Sequence, residues 1–236
     1  MARGKATLKI NGLRVEIEKG TSVLEAAEFL GIDIPRLCHD DGLKPYGACR
    51  LCIVEARKGS RTKMVASCVC AVEAVEGFDI RTHSERVLKD RRVLIELLLA
   101  ECPSSKVLQD LAAKHHVRKI RVKQENKDCI LCGLCTRICK EQMASGAIGY
   151  VGRGYQRRIT TPFDMKSDVC RTCGACMYIC PAVQMRCLGP ERIEGGICGS
   201  CTPMDPTCTE GFDDYMCYMG ETGSCGTCVK LDNSSD

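Results

Sequence analysis

The 236-residue chain contains no tryptophan, and only 4% of its residues are aromatic. It also lacks a long hydrophobic run, because the longest one, at residues 93–100, includes Glu96 and is too short to span a bilayer. No hydrophobic stretch typical of a signal peptide follows the first charged residues. These absences exclude a large aromatic core, and they predict a soluble, cytoplasmic chain made of small domains without a membrane span.

Cysteine is the residue that the chain has in excess, with 21 copies. In a short secreted protein this number would suggest a disulfide framework, but in a reducing compartment thiolates more often bind metal. Small domains with few aromatic residues usually need such metal for stability. We therefore interpret the cysteines as metal ligands.

The charge of the chain is unevenly distributed. The net charge is +4, yet residues 191–236 hold nine Asp and Glu against two basic residues, so the first 190 residues are basic. A basic surface can indicate nucleic-acid binding. Metal-thiolate clusters carry negative charge that surrounding Lys and Arg offset, so we expect no nucleic-acid partner.

The first 82 residues have the pattern of a small α+β domain. Alternating residues flank Asn11-Gly12, the strongest short signal for a tight β-hairpin. Ser22 and Glu25 fit a capping box for a helix, with Thr21 as the alternative cap. Further strands are predicted around residues 51–56, 63–66 and 77–81. With a Cys-rich loop after the helix, this order predicts a small α+β domain of the β-grasp ferredoxin type over residues 1–82.

The rest of the chain divides into three segments. Residues 84–100 and 104–116 have helical spacing of apolar residues, which predicts a helical connector over residues 83–125. Residues 126–190 contain two copies of the cysteine pattern C-x2-C-x2-C-x3-C, which predicts a ferredoxin-like domain with two [4Fe–4S] clusters there. Residues 191–236 form a Cys-rich, metal-binding tail for which we expect little regular structure.

Two copies of the pattern C-x2-C-x2-C-x3-C are the most specific motif. In such a pair, three thiolates of each copy bind one [4Fe–4S] cluster and the fourth binds the other cluster. The first cluster is therefore predicted on Cys129, Cys132, Cys135 and Cys180, and the second on Cys139, Cys170, Cys173 and Cys176. Gly133 and Gly174 suit the sharp turns near a cluster. Two zinc sites would leave four regularly spaced cysteines without a role.

A second set of cysteines predicts a [2Fe–2S] site on Cys38, Cys49, Cys52 and Cys68. Ten residues separate the first two, whereas the plant-type spacing has four, so this is a different variant. Cys70 is the alternative fourth ligand, because strand alternation would place it on the same face as Cys68; we favour Cys68. His39 is expected to tune or solvate this site.

The tail contains two CxxC pairs that form the candidate metal site Cys198, Cys201, Cys225 and Cys228. Their separation approaches that of a zinc ribbon. A further iron–sulfur cluster, a zinc ion, and thiols without a ligand role all remain open for this segment.

Two segments carry a resemblance to a known group of proteins. GIDIPRLCHDDGLKPYGACRLCIVEA and MVASCVCAVEAVEGFDIRT resemble the amino-terminal [2Fe–2S] domain of the large iron–sulfur subunit of respiratory complex I. They are also similar to the diaphorase small subunit of NAD-reducing hydrogenases and to the amino-terminal domains of [FeFe] hydrogenases. CILCGLCTRICKEQ and DVCRTCGACMYICP resemble the paired-cluster domain of the same group. The resemblance covers about residues 5–188.

The chain departs from this group between the two domains. Members usually carry there a [4Fe–4S] site made of one His and three Cys. Here Cys102-Pro103 remains, but the His and the other two cysteines are missing, which predicts that this cluster is absent. Cys102 is then expected to be structural, and His115 and His116 to form a solvated helix end.

The resemblance implies an iron–sulfur electron-transfer subunit with no substrate site of its own. The chain shows neither a dinucleotide-binding glycine motif before a helix nor a P-loop. The implied partners are a flavoprotein of the NADH-dehydrogenase type, with FMN, and a second catalytic subunit or a soluble ferredoxin. The terminal substrate and electron bifurcation at the flavin are left open.

Three alternatives compete with this interpretation. The first is a free-standing polyferredoxin carrier. The second is a succinate dehydrogenase or fumarate reductase iron–sulfur subunit, which the ten-residue gap after Cys38 and the complete second cluster motif disfavour. The third is a zinc-dependent structural or nucleic-acid-binding protein.

Overall fold

The computed structural model describes residues 4–125, 127 and 129–182, and the backbone of two strands at residues 215–219 and 225–230. The chain divides into two compact units, Met1–Cys132 and Gly133–Asp236. Within the described part of the chain, none of the helices combines the length and hydrophobicity needed to cross a bilayer.

The first unit begins with the predicted hairpin. Strands β1 (Lys5–Ile10) and β2 (Leu13–Glu18) pair antiparallel, which confirms that prediction. Asn11 and Gly12 connect them with φ values of 52° and 85°, as a tight turn between twisted strands requires. The Asn11 side chain accepts a hydrogen bond from the Thr82 N–H (2.9 Å) and donates one to Thr82 Oγ1 (2.7 Å). The turn is thereby attached to the chain that leaves the sheet.

Three further strands complete a mixed sheet of five. They are β3 (Ile53–Lys58), β4 (Arg61–Ala66) and β5 (Asp79–Arg81), and the sheet order is β2-β1-β5-β3-β4. β1 and β5 are parallel, whereas the other neighbouring strands are antiparallel. This is the β-grasp arrangement, so the predicted α+β class is confirmed.

Helix α1 (Val23–Phe29) covers the core of this sheet. Ser22 Oγ accepts from the Glu25 N–H, and the Glu25 carboxylate accepts from the Ser22 N–H, which confirms the capping box. The inner face of α1 presents small and branched apolar residues to apolar side chains of β1, β3 and β5. This core lacks large aromatic side chains, as the composition predicts.

Two helices follow the sheet, as the sequence predicts. α2 (Glu85–Glu101) is capped by Ser84, and α3 (Lys106–Lys114) is capped by Ser105. α2 packs against both α3 and β3. After α3 the chain returns along α2, where the Arg121 guanidinium and the Glu96 carboxylate form a two-pronged ion pair. This return leads the chain toward Cys129.

The second unit contains short elements. Helices α4 (Leu134–Glu141) and α5 (Ala175–Tyr178) pack against each other. Between them lies the hairpin of β6 (Gly149–Val151) and β7 (Arg158–Thr160). Arg158 forms a two-pronged ion pair with Asp164, and this pair lowers the pKa of Asp164 to about 2.

The tail differs from the prediction of little regular structure. Strands β8 (Tyr215–Met219) and β9 (Cys225–Lys230) form an antiparallel pair in which Cys217 lies opposite Cys228. The backbone groups that face each other pair across the two strands, but the sequence here has no alternation of apolar and polar residues, so its periodicity does not predict them.

The Asn11 turn provides a test of what holds the hairpin to the sheet. Asn11→Gly keeps the positive φ accessible but removes both hydrogen bonds to Thr82, and we expect it to destabilise the first unit by about 1–2 kcal/mol. Asn11→Ala adds strain at positive φ and should cost about 1 kcal/mol more. Urea unfolding of the cluster-loaded chain, followed anaerobically by circular dichroism, measures both. Equal stability of all three proteins would contradict the role of this side chain.

Candidate metal centres

Four buried cysteines of the first unit surround one site. Cys38, Cys49 and Cys52 lie on the long loop between α1 and β3, and Cys68 lies in a 3₁₀ turn directly after β4. Each is between 1% and 5% exposed. The loop has little regular structure, and it is anchored by buried Ile34 and other apolar side chains. The fold therefore brings together the four cysteines that the spacing predicted.

These four cysteines are arranged as two adjacent pairs. The Cys49 N–H donates a hydrogen bond to Cys38 Sγ at 3.3 Å, and Cys52 Sγ lies 3.3 Å from Cys68 Sγ. Among the described residues, no three His, Cys, Asp or Glu side chains converge on one point as a single metal ion requires. A [2Fe–2S] cluster has two irons, each needing two thiolates, so the pairs match its ligand demand.

The electrostatics of the site favour a positively charged occupant. The hydrogen bond with Cys52, burial and the neighbouring cysteines raise the pKa of Cys68, while the same hydrogen bond lowers the pKa of Cys52 to about 6. The hydrogen bond with Cys38 and burial likewise raise the pKa of Cys49. The protein alone therefore does not stabilise four thiolates here, whereas iron bound between them would.

Cys70 lies outside this group of thiols. Its Sγ donates to the Ala71 carbonyl at 3.8 Å, and burial raises its pKa, with Lys63 and Glu73 as its charged neighbours. The strand alternation from which we expected Cys68 and Cys70 to share a face does not apply to this segment, although Cys70 still packs against the core that contains Cys68. β4 ends at Ala66 and the chain turns into a 3₁₀ helix, so the two-residue period does not continue.

His39 lies in the cysteine-containing loop, whereas Cys102, His115 and His116 lie at or just after the ends of helices. The His39 side chain is buried beside Cys38, with Nε2 at 3.5 Å from Asp41 Oδ1 and Nδ1 without a hydrogen-bond partner. His115 is partly buried at the end of α3, His116 is exposed, and Cys102 is fully buried at the end of α2.

The two cysteine motifs of the predicted paired-cluster domain share one backbone conformation. Leu131 and Thr172 precede the second cysteine of their motifs with φ of 53° and 52°. Gly133 and Gly174 follow that cysteine with φ of 74° and 68°, and each begins a helix. Leu131 N–H donates to Cys129 Sγ at 3.3 Å. A repeated left-handed turn next to sulfur is the geometry that cluster-binding loops need.

The remaining predicted ligands occupy the helices and loops of these motifs. Cys135 and Cys139 lie on α4, Cys176 lies on α5, and Cys180 follows α5. Because α4 packs against α5, the fold brings the ends of the two motifs together in the second unit. The tail candidates Cys198 and Cys201 are outside the described residues, and Cys225 and Cys228 are described only as positions of β9.

The separation of Cys68 from Cys70 gives a direct test of the first site. We expect Cys68→Ser to lose the [2Fe–2S] signal in electron paramagnetic resonance (EPR) and about two irons per chain, because one iron loses a thiolate. Cys70→Ser is the matched control and should keep both. Loss of the signal in the Cys70 variant, or its retention in the Cys68 variant with unchanged iron, would contradict this ligand set.

Comparison with family models matches both regions. Residues 4–85 match a "2Fe-2S iron-sulfur cluster binding domain", and residues 128–184 match a "4Fe-4S dicluster domain". The two matches fall on the β-grasp sheet and on the segment that holds both cysteine motifs.

Several known proteins are similar along most of the chain. An NADH-quinone oxidoreductase subunit of Rhizobium meliloti is 31% identical over 71% of the chain and 22% of its own length. The NADP-reducing hydrogenase subunit HndD of Solidesulfovibrio fructosivorans is 30% identical over 74% of the chain and 35% of its own length. The chain thus spans about a quarter to a third of these curated relatives.

A solved structure agrees with the sequence relatives. A chain in the crystal structure of NAD+-reducing [NiFe]-hydrogenase in the H2-reduced state is similar with a TM-score of 0.57 and 30% identity, covering 66% of this chain and 74% of that one. With the β-grasp fold, the four-thiol site and the repeated cysteine turns, these matches lead to one conclusion: the chain belongs to the iron–sulfur protein family of the complex I large iron–sulfur subunit and its relatives in NAD(P)-reducing hydrogenases.

Proposed function

We propose that this chain is an electron-transfer subunit of a multisubunit NAD(P)(H)-linked oxidoreductase. It relays single electrons between a flavoprotein subunit and a second catalytic subunit or a ferredoxin. The observation that carries the proposal is the buried group Cys38, Cys49, Cys52 and Cys68, whose thiols lie in two adjacent pairs. Buried thiols in this arrangement suit a one-electron centre, and they offer no room for a substrate.

The proposed set of cofactors is one [2Fe–2S] and two [4Fe–4S] clusters. The repeated turns at Leu131 and Thr172, followed by Gly133 and Gly174, support two equivalent cluster loops in the paired-motif domain. Exchange of the fourth cysteine between motifs would then assign Cys180 to the first cluster and Cys139 to the second. The packing of α4 on α5 favours this exchange, because it joins the carboxyl ends of both motifs in one unit.

We propose four segments with boundaries taken from the positions of the sheet, the helices and the cysteine motifs. Residues 1–82 form the [2Fe–2S] domain, 83–125 the helical connector, 126–190 the two-cluster domain and 191–236 the Cys-rich tail. The connector packs on β3 through α2, and the returning segment ends at the first cluster motif. We place the boundary at residue 126 because the first cysteine motif begins at Cys129.

The proposed partner is a flavoprotein that oxidises NADH or NADPH through FMN. The relatives' names support this, since they are subunits of an NADH-quinone oxidoreductase and an NADP-reducing hydrogenase. Phe163 and Tyr178 are 90% and 87% exposed in the second unit. If these two side chains form part of one contiguous apolar patch, that patch would favour a subunit with a docking surface over a free-standing carrier. Free thiolates persist in reducing compartments, so we propose that the protein is located in the cytoplasm.

Electron transfer from NADH tests this function. The anaerobically purified chain should be reduced completely by dithionite but not by NADH alone, because it has no site for a hydride acceptor. A catalytic amount of an NADH-oxidising, FMN-containing subunit should make NADH an effective reductant. Bleaching of the visible cluster absorption and EPR of the reduced chain measure the result.

Variants separate the clusters in the same experiment. Cys173→Ser should remove one [4Fe–4S] signal and leave the [2Fe–2S] signal, because its thiolate is assigned to one cluster. Cys70→Ser is the control and should transfer electrons like the wild type. Reduction by NADH without the flavoprotein, or no transfer with it, would contradict the proposed role.

A further inference from the structure

Helix α2 buries two charged side chains, Arg91 and Glu96, and Glu96 is already paired with Arg121. Val87, Arg91 and Ile95 follow each other at four-residue spacing, and all three are completely buried. Arginine is rarely buried in this way unless a partner compensates its charge. A negatively charged group near Arg91 is therefore needed to balance its charge.

The hydrogen bonds of Arg91 point to the [2Fe–2S] loop. Its Nε donates to the Leu51 carbonyl at 3.1 Å, and its Nη2 donates to the Ile53 carbonyl at 2.8 Å. These two residues flank Cys52 on either side. The remaining nitrogen, Nη1, is buried and has no hydrogen-bond partner. The guanidinium thus holds the backbone around one thiol ligand and keeps an unused donor.

The protein supplies little negative charge to balance Arg91. Burial lowers its pKa to about 10, so the side chain is still protonated at neutral pH. The groups that oppose this shift are first the thiolate of Cys52 and then Asp33. Asp33 is exposed and already pairs with Lys114. Among the described residues, the thiol site is therefore the main source of negative charge facing the guanidinium.

We propose that Arg91 is the internal counter-ion of the [2Fe–2S] centre and raises its reduction potential. This inference rests on the proposed function. When one electron from an external donor reduces one ferric ion to ferrous, the cluster with its four thiolates gains one negative charge and takes up no other group. A fixed positive charge in a buried site stabilises the reduced state more than the oxidised state. Arg91 would bind no iron itself. It would act on the cluster through its electric field and through the backbone that it holds at Leu51 and Ile53, so we class it as a positioning residue.

A purely structural role of Arg91 makes a different prediction. In that case the two bonds to Leu51 and Ile53 would matter, and the charge would not. Arg91→Gln retains a hydrogen-bond donor but removes the charge, whereas Arg91→Lys retains the charge and loses the planar fork. Arg86→Gln removes the same charge at an exposed position of the same helix, and it is the matched control.

The test is a redox titration of the full chain with all clusters, monitored by EPR of the [2Fe–2S] signal. Dithionite is the reductant, and mediators set the potential. At the wild-type midpoint, we expect Arg91→Gln to lower the ratio of reduced to oxidised [2Fe–2S] by about tenfold. Arg91→Lys should remain within about twofold of wild type, and Arg86→Gln should be unchanged. The [4Fe–4S] signals serve as internal references and should not move.

Two results would overturn the proposal. One is an unchanged midpoint in Arg91→Gln, and the other is an equal shift in Arg91→Lys and Arg91→Gln, which would assign the effect to the hydrogen bonds. If Arg91→Gln fails to assemble the cluster, the neutral variant Arg91→Met replaces it in the comparison: a lowered midpoint in Arg91→Met beside a near-wild-type midpoint in Arg91→Lys supports the counter-ion, and equal midpoints in the two variants refute it. A wild type without any [2Fe–2S] signal refutes the proposed function itself, which distinguishes the two failures.

Discussion

The structure of the first unit depends on the burial of four thiols that protein groups alone cannot satisfy. Cys49 and Cys68 have raised pKa values, since each shares a hydrogen bond with another buried cysteine. The β-grasp core supplies the walls of this site from small aliphatic residues, and the long loop after α1 supplies three of the four sulfurs. Iron in the site would turn a cost of burial into a source of folding free energy.

The two C-x2-C-x2-C-x3-C motifs repeat one strained backbone turn beside their cysteines. Each cysteine motif places one residue and one glycine in left-handed conformations on either side of its second cysteine, and then begins a helix. A left-handed residue such as Leu131 or Thr172 costs about 1 kcal/mol, so two copies of the strain need a compensating interaction. Ligation of the adjacent sulfurs to a cluster would provide it. In the paired motifs, therefore, the strained turns lie next to the predicted ligands.

Short sequence motifs predicted the fold well where a motif has a single structural use, such as a tight turn or a helix cap. Asn11-Gly12 predicted the hairpin, and Ser22 with Glu25 predicted the start of α1. The strand period that we assumed for Cys68 and Cys70 does not continue there, because a 3₁₀ turn follows Ala66. The residue types in this segment give no signal for such a turn. Arg91 was missed although it lies on the stripe between Val87 and Ile95; a charge at a core position of a helical period was the available signal.

Metal stoichiometry is the decisive measurement for the proposal that twelve cysteines between Cys38 and Cys180 hold one [2Fe–2S] and two [4Fe–4S] clusters. Iron and acid-labile sulfide are measured per chain in anaerobically purified protein, with EPR of the reduced state and with a truncation ending at Leu188 as the comparison. The account predicts about ten irons in both proteins if the tail binds no cluster, and up to about fourteen in the full chain if it does. Fewer than about eight irons in the full chain would contradict two [4Fe–4S] clusters beside one [2Fe–2S] cluster.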